Sequence, residues 1–349
     1  MCNIEVWIYP DCIASAVTGP LDILSVANSI WAFKNKGQAE PLFSWSVHSL
    51  DGAAVKTPSG ISLDADGVID MARSDVDVVL LPGIYTENGV SGLLHKLQQL
   101  QPLYPLLQQR HRQGSMLAAN CSASFLLAEA QLLNGGHATT TWWLERAFRA
   151  RYPQVELRLA ELITEYQRLL CSGAGTSYLN QTLYLVQRYA GQDIAAACAK
   201  TMLIDANRSS QMPYMSVSMT QQDSQPHSDT LVLRAQQWMS KRQDQAFSLQ
   251  DLAAHLAVSE RTVIRHFHQA LGSTPTAYSQ LLKIDLAKRL LETSTLSLET
   301  VAQRIGYADP GSFRRLFKRE TGLSPVEYRQ QFNRRKTVPE KIEAGSALT

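Results

Sequence analysis

Two regimes of polar and apolar spacing divide the chain. Through the first two hundred residues, short apolar runs alternate with stretches of helical period. IEVWIY (4–9) reads as a strand, and FSWSVHSL (43–50) alternates as a half-buried strand does. VDVVLLPG (76–83) and SMLAAN (115–120) are continuous apolar runs of the kind buried on both faces of a parallel sheet. LITEYQRLLCSG (162–173) reads as two strand segments, while residues 92–114 and 122–133 have helical spacing. Strands alternating with helices predict an α/β domain over residues 1–206: a flavodoxin-like, mostly parallel sheet with helices on both faces. Residues 207–229, NRSSQMPYMSVSMTQQDSQPHSD, lose periodicity and are rich in Ser, Gln and Met, as a linker is. Residues 230–336 then read as all-helical, and 337–349 as a frayed, flexible tail.

The helical part repeats itself. AVSERTVIRHFHQALGSTPTAY (257–278) aligns with YADPGSFRRLFKRETGLSPVEY (307–328) at a constant offset of 50, pairing Arg265 with Arg315, Phe267 with Phe317, Gly272 with Gly322 and Pro275 with Pro325. Upstream, SLQDLAAHL (248–256) matches SLETVAQRI (297–305) at an offset of 49, so the second turn holds one extra residue. Each copy predicts a helix-turn-helix. Ser248 and Ser297 can cap the first helix; Leu252, Ala253 and Leu256, or Val301, Ala302 and Ile305, form its apolar face. In the second helix Val263 and Phe267, or Phe313 and Phe317, turn inward at i, i+4. The opposite face carries Arg261, Thr262, Arg265 and His266, or Ser312, Arg315 and Lys318. Arginines in that position suit guanine edges in a major groove or phosphates.

Charge follows the same division. Residues 1–229 hold 15 Lys and Arg against 20 Asp and Glu, whereas residues 230–336 hold 17 against 9, within an overall net charge of +2. A polyanion partner, double-stranded DNA, is therefore expected for the helical part alone. No apolar run approaches the roughly 18 residues of a membrane span, and the start lacks the basic region of a signal peptide, so no membrane association is expected. The five cysteines are odd in number and scattered, without a C-x-x-C pair. That argues against a disulfide framework or metal site and for a reducing, cytoplasmic compartment, with no cofactor implied.

On these motifs residues 231–332 closely resemble the AraC/XylS family of bacterial regulators, most specifically over VAQRIGYADPGSFRRLFKRETGLSPVEYR (301–329). The resemblance implies two helix-turn-helix units bridged by a long helix. It makes Arg261 and Arg265, then Gly311, Ser312 and Arg315, the candidate base readers. Ile264 departs from the pattern, falling where the family often has a polar reader.

LAANCSASFLLAEAQLLNGGHATTTWW (117–143) reads as a strand, a sharp turn at Asn120-Cys121-Ser122 and a helix. This is the outline of a nucleophile elbow, with the helix N-terminus expected to lower the Cys121 pKa. With VVLLPG (78–83) and TGPLDIL (18–24), the front domain resembles the PfpI/ThiJ class, the glutamine-amidotransferase-like fold. The whole chain is similar to the GlxA-type subgroup of AraC regulators. Catalytic members of the class place histidine directly after the cysteine, where this chain has Ser122. Ala14, Ser15 and Ala16 fill the acidic slot, and Thr141 stands where many relatives have histidine. Asp11 and His137 are alternative partners off the matching positions. No catalytic residue is therefore expected, and Cys121 reads as a vestige. Ligands of open α/β sheets sit beyond the C-terminal strand ends, which gathers Tyr9, Gly83, Ile84, Tyr85, Cys121, Ser122, Thr140, Thr141 and Trp142 as effector-pocket candidates. Tyr85, Trp142 and Trp143 are a candidate aromatic wall for a cationic amine.

The combined reading is a sequence-specific DNA-binding transcription regulator responding to a small nitrogenous metabolite. A homodimer is expected, and RNA polymerase is a further candidate partner. An amidase- or glyoxalase-like enzyme tethered to a DNA-binding domain, and a front domain that only dimerises, are the alternatives.

Overall fold

The long apolar runs become the inner strands of one sheet. The computed structural model describes residues 1–216, 229–245 and 247–333. Its strands are β1 (Cys2–Trp7), β2 (Phe43–Ser49), β3 (Val55–Lys56), β4 (Ser62–Leu63), β5 (Gly67–Val68), β6 (Val78–Leu81), β7 (Met116–Asn120), β8 (His137–Ala138), β9 (Glu156–Leu157), β10 (Ile163–Tyr166) and β11 (Leu169–Ser172). Seven of them pair in the order β10-β11-β7-β6-β1-β2-β5, parallel throughout except for the β10–β11 hairpin. Every residue of β6, β7 and β11 is buried, as a sheet covered on both faces requires. Gln167 and Arg168 turn the hairpin with both φ angles positive, at 47° and 65°, the backbone sense that matches strand twist.

Helices α1 (Ser15–Lys34), α6 (Ser177–Ala190) and α7 (Gln192–Thr201) pack on one another, and α6 packs on β7 and β11. Helices α2 (Gly89–Gln99), α3 (Leu103–Arg112) and α4 (Ser124–Glu129) form a second group with α3 and α4 against β7, and α5 (Glu145–Arg151) follows α4 in the chain. The helical stretch 92–114 breaks at Pro102, which leads into α3.

A buried ion pair ties the inner strand β1 to helix α3. Glu5 in β1 and Arg110 in α3 are 1% and 0% exposed. Arg110 Nη2 donates to Glu5 Oε1 at 2.9 Å and to the Asp70 carbonyl at 2.8 Å. Its Nη1 donates to the Arg73 carbonyl and to Gln113 Oε1, and Trp7 Nε1 donates to Glu5 Oε2 at 2.9 Å. One guanidinium thus pins the irregular segment around residues 70–73 to the first strand.

In the second unit the seven helices among the described residues are α8 (Thr230–Ser240), α9 (Leu249–Leu256), α10 (Glu260–Leu271), α11 (Pro275–Thr293), α12 (Leu298–Arg304), α13 (Pro310–Thr321) and α14 (Pro325–Phe332). Two cores form. Val232, Leu252, Leu256, Val263, Phe267 and Tyr278 build the first; Ala287, Leu291, Val301, Ile305, Phe313 and Phe317 are among those that build the second. Helix α11 supplies residues to both. Ser248 and Ser324 make reciprocal capping boxes with Asp251 and Glu327, and Ser297 caps α12. Gly272 and Gly322 close α10 and α13 in the left-handed conformation, and Pro275 and Pro325 open the helices that follow.

The stretch 207–229, read above as linker, is in part folded structure. Residues through Gln211 belong to the front unit, and Met212–Ser216 belong to the back one. The Leu162 N–H donates to the Ser209 carbonyl, Ser210 bridges to Glu161, and Gln211 is 1% exposed. Asp229 caps α8 through the N–H groups of Leu231 and Val232. The polar composition misled because these side chains satisfy buried backbone groups instead of solvating a tether. Residues 217–228 and the tail 337–349 lie outside the described residues.

Substituting Arg110→Met removes the nearer guanidinium from the buried Glu5 carboxylate and leaves Arg73 at 3.7 Å. The front unit is expected to lose roughly 3–5 kcal/mol, read from urea unfolding, with Glu5→Gln in the same chain restoring part of it.

Candidate nucleic-acid interface and elbow site

Helices α10 and α13 each bury one face and expose the other. Val263, Phe267 and Ala270 hold α10 down; Phe313, Leu316 and Phe317 hold α13. Arg261, Arg265, Arg315 and Lys318 are exposed on the outward faces, while Thr262, Gly311 and Ser312 are half-buried at the helix starts.

Arg315 is the most organised of these. Asp309 caps α13, accepting from the Gly311 N–H at 3.0 Å, the Ser312 N–H at 2.8 Å and the Ser312 hydroxyl at 2.7 Å. The Ser312 hydroxyl and those two N–H groups hold its carboxyl below the usual carboxylate range. Arg315 Nη2 in turn donates to Ser312 Oγ at 2.9 Å and lies 3.8 Å from Asp309 Oδ2. A Cβ on Gly311 would stand 3.2 Å from Asp309 Oδ1 and 3.7 Å from Arg315 Nη1, so glycine keeps this corner open. The guanidinium is braced on its own helix yet its side chain is 76% exposed, a preset donor fork.

The first unit is less braced. Thr262 Oγ1 is 2.9 Å from Ser259 Oγ, which caps α10. His266 Nδ1 is 2.6 Å from Asp229 Oδ2, tying α10 to the start of α8. Burial pushes the Asp229 carboxyl up, but His266 and the α8 N–H groups outweigh it and hold it below its ordinary value. His266, expected on the outward face, is thus turned to an internal partner. Sequence reading missed Asp229 because it precedes the periodic segment. Arg314 reaches back to Glu299 on α12 at 3.1 Å; the equivalent positions of the first unit are Ile264 and Gln250, and Ile264 is 36% exposed.

In the front unit, β7 ends at Asn120 and a single helical turn over Cys121–Ala123 leads into α4. Cys121 takes a left-handed φ of 57°, the strained corner of an elbow. Gly83 makes the corner fit: a Cβ there would lie 3.1 Å from Cys121 Cβ and 3.2 Å from Ile13 Cδ1. The Ser122 hydroxyl donates to the Ile84 carbonyl at 2.7 Å and accepts from the Ile84 N–H at 2.8 Å. Thr140 Oγ1 donates to the Cys121 carbonyl at 3.2 Å, and the Tyr9 hydroxyl donates to the Pro82 carbonyl.

Two sequence patterns of known families cover the two units. The helix-turn-helix domain pattern matches residues 252–331, and the DJ-1/PfpI family pattern matches residues 35–172. The chain joins a DJ-1/PfpI domain to an AraC-type helix-turn-helix domain. The HTH-type transcriptional regulator GbdR of Pseudomonas aeruginosa is 25% identical over 92% of this chain and 84% of its own. CdhR of the same organism, also named an HTH-type transcriptional regulator, is 25% identical over 82% of each chain. Among solved structures, an AraC family transcriptional regulator from Pseudomonas putida aligns with 58% of this chain and 100% of its own, at 20% identity and a TM-score of 0.44.

The elbow of the DJ-1/PfpI domain differs electrostatically from the sequence expectation. Burial pushes the Cys121 thiol pKa up, outweighing the Gly175 and Ser122 N–H groups and the Thr141 and Ser122 hydroxyls around the sulfur. The helix-end effect is overridden because Cys121 is only 4% exposed. Thr141 Oγ1, fully buried, makes no conventional hydrogen bond and faces that sulfur. Asp11 is engaged by Lys96 at 3.0 Å, and His137 rests against the Tyr166 ring at 5.7 Å. Tyr9, Gly83, Ile84, Ser122, Thr140 and Trp142 are buried, and only Tyr85 of the pocket candidates is exposed. The aromatic wall is split: Trp142 and Trp143 meet edge to face at 5.2 Å, while the Tyr85 ring faces Lys96 Nζ at 5.8 Å. A cavity of about 700 Å³ lies elsewhere in this domain, between α6, α7 and the Leu203–Arg208 loop. Sequence reading missed it because no motif marks a groove between two helices.

All five cysteines are buried, so native Cys121 is expected to react with iodoacetamide at least ~10-fold more slowly than in urea-unfolded chain, followed by mass spectrometry. Burial raises the folded-state pKa of Cys121, Cys12 and Cys171 above their ordinary 9.0. Their stabilising contribution is then complete below about pH 9 and is lost as pH rises beyond it. The melting temperature is expected to fall above that point and to stay level between about pH 7 and 8.

Proposed function

We propose that this chain is a transcription regulator that docks α10 and α13 in successive major-groove segments of operator DNA and is controlled by a small nitrogenous metabolite bound at the elbow. One observation carries the DNA reading: Arg315 is exposed, yet fixed to its helix by Ser312 and Asp309, so little ordering is left for the moment of binding. The exposed Arg261, Arg265 and Lys318 extend the cationic surface. The names of the relatives, HTH-type transcriptional regulators, agree with it.

The front domain is read as a sensor and not an enzyme. Its thiol is held protonated, and the neighbours that would move a proton for turnover are absent from the matching positions. Thr141 Oγ1 offers an unused hydrogen bond to a ligand. Lys96 bridges Asp11 and the Tyr85 carbonyl, which holds together the loops after the first and sixth strands. We assign the protein to the cytoplasm as a homodimer, which would engage two half-sites at once. No helix among the described residues is long and apolar enough to cross a membrane.

Arg315→Ala is expected to weaken operator binding by roughly 1–3 kcal/mol and to relax preference at one or two base pairs. Lys318→Ala is expected to weaken all sequences evenly and to reduce the salt slope by about one. Electrophoretic shift titrations at several salt concentrations separate the two. An Arg315 variant that binds as well as the parent overturns the docking. For the sensor reading, amines and amino acids are screened by thermal shift against the parent chain and Cys121→Phe. A stabilising ligand lost in the Phe variant supports the elbow, and one retained places the effector elsewhere.

A further inference from the structure

The chain between the two domains has its own anchorage. On the front side Gln211 is 1% exposed and its amide is fully used. Nε2 donates to the Thr140 carbonyl at 2.9 Å and the Leu159 carbonyl at 2.8 Å, and lies 3.3 Å from Thr139 Oγ1; Oε1 accepts from the Ala174 N–H at 3.2 Å. A Cβ on Gly173 would clash with this amide at 2.8 Å. Both loops it grips flank the elbow: Thr140 bonds to the Cys121 carbonyl, and the Gly175 N–H faces the sulfur.

One peptide bond later the chain belongs to the other unit. Met212–Tyr214 form a helical turn packed on α13. The Tyr214 ring meets Phe332 edge to face at 5.1 Å, Phe332 stacks on Tyr328 at 4.5 Å, and Tyr328 meets Phe317 at 5.3 Å. Phe317 is the anchor of the outward-facing helix α13. Ser216 Oγ donates to Asp285 Oδ2 at 3.0 Å, and Lys288 Nζ donates to the Met215 carbonyl at 2.6 Å.

We propose that residues 211–216 are a strap that couples the state of the elbow loops to the second helix-turn-helix unit along the chain. Its two ends differ in character. Gln211 is held by neutral hydrogen bonds in a closed core, where any shift of residues 139–141 or 173–175 alters its partners. The other end covers Lys288, which is 7% exposed and lies 5.9 Å from the Tyr328 ring. Burial disfavours the Lys288 ammonium, and the Asp285, Glu292 and Glu320 carboxylates oppose that cost. The hydrogen bond from Nζ to the Met215 carbonyl ties this end of the strap to α11. The strap stands independently of the effector reading; it rests on that reading only for what sets it in motion.

Hydrogen exchange on the full chain, free of ligand and DNA, tests it by reciprocity. Gln211→Ala is expected to speed exchange by roughly fivefold or more in the amides of α13 and α14 as well as in its own loops. Tyr214→Ala and Lys288→Met are expected to do the same to residues 139–141 and 173–175. A Gly-Ser-Gly-Ser spacer between Gln211 and Met212 is expected to abolish both cross-effects. Effects confined to the mutated unit overturn the strap, and so does a cross-effect that survives the spacer. The Tyr214→Ala and Lys288→Met variants keep the test open if Gln211→Ala fails to fold. Failure here leaves the operator and effector titrations untouched.

Discussion

The back unit depends on two phenylalanines that see no solvent. Phe267 and Phe317, each 0% exposed, fix the rotation of α10 and α13 about their own axes. A helix has one apolar stripe, and burying it dictates which side chains face outward. Arg265 and Arg315 precede those rings by two residues, about 200° around the helix, so the ring that goes in turns the guanidinium out. The caps, the glycine stops and the prolines set where each helix begins and ends; the rings set what it presents. The connector uses the same rings, since its aromatic contact reaches Phe317 through Tyr328 and Phe332.

The front unit follows a different rule. Its chemistry is governed by desolvation. Gly83, Ser122 and Thr140 hold the Cys121 corner so tightly that the thiol is shut in among neutral groups. In such surroundings the field of one helix end is a small correction, and the protonated form wins. The same backbone outline that exposes a nucleophile in a hydrolase here buries a thiol, and what differs is side-chain packing around an inherited bend.

Much of this was legible beforehand, for identifiable reasons. The all-buried strands announced themselves as apolar runs, and the duplicated helix pairs as a fixed offset of 50. Ser248, Ser297, Gly272 and Pro325 lie where local rules operate within a turn, and they do what such rules require. Long-range polar partnerships were not legible. Glu5 meets Arg110 across 105 positions, His266 meets Asp229 across 37, and Gln211 meets Thr139 across 72. Periodicity carries no information about such pairs. Gln211 sat in a stretch whose composition resembles a tether, and only its burial reveals otherwise. The sign of the Cys121 shift was missed for a related cause: sequence displays the nearby helix end but not the depth of the surrounding core.

The bracing of the two outward-facing helices is unequal. Asp309, Ser312, Arg315, Glu299 and Arg314 stiffen α13, whereas the first unit has Ile264 and Gln250 at the positions of the Arg314–Glu299 pair and ties His266 to Asp229. A rigid reader penalises every mismatch, while a looser one with an apolar side chain adjusts to several steps of similar shape. Binding sites for such a module would carry one stringent block and one degenerate block. Promoters could then drift at the degenerate block and change in graded strength, without leaving the set of genes under common control.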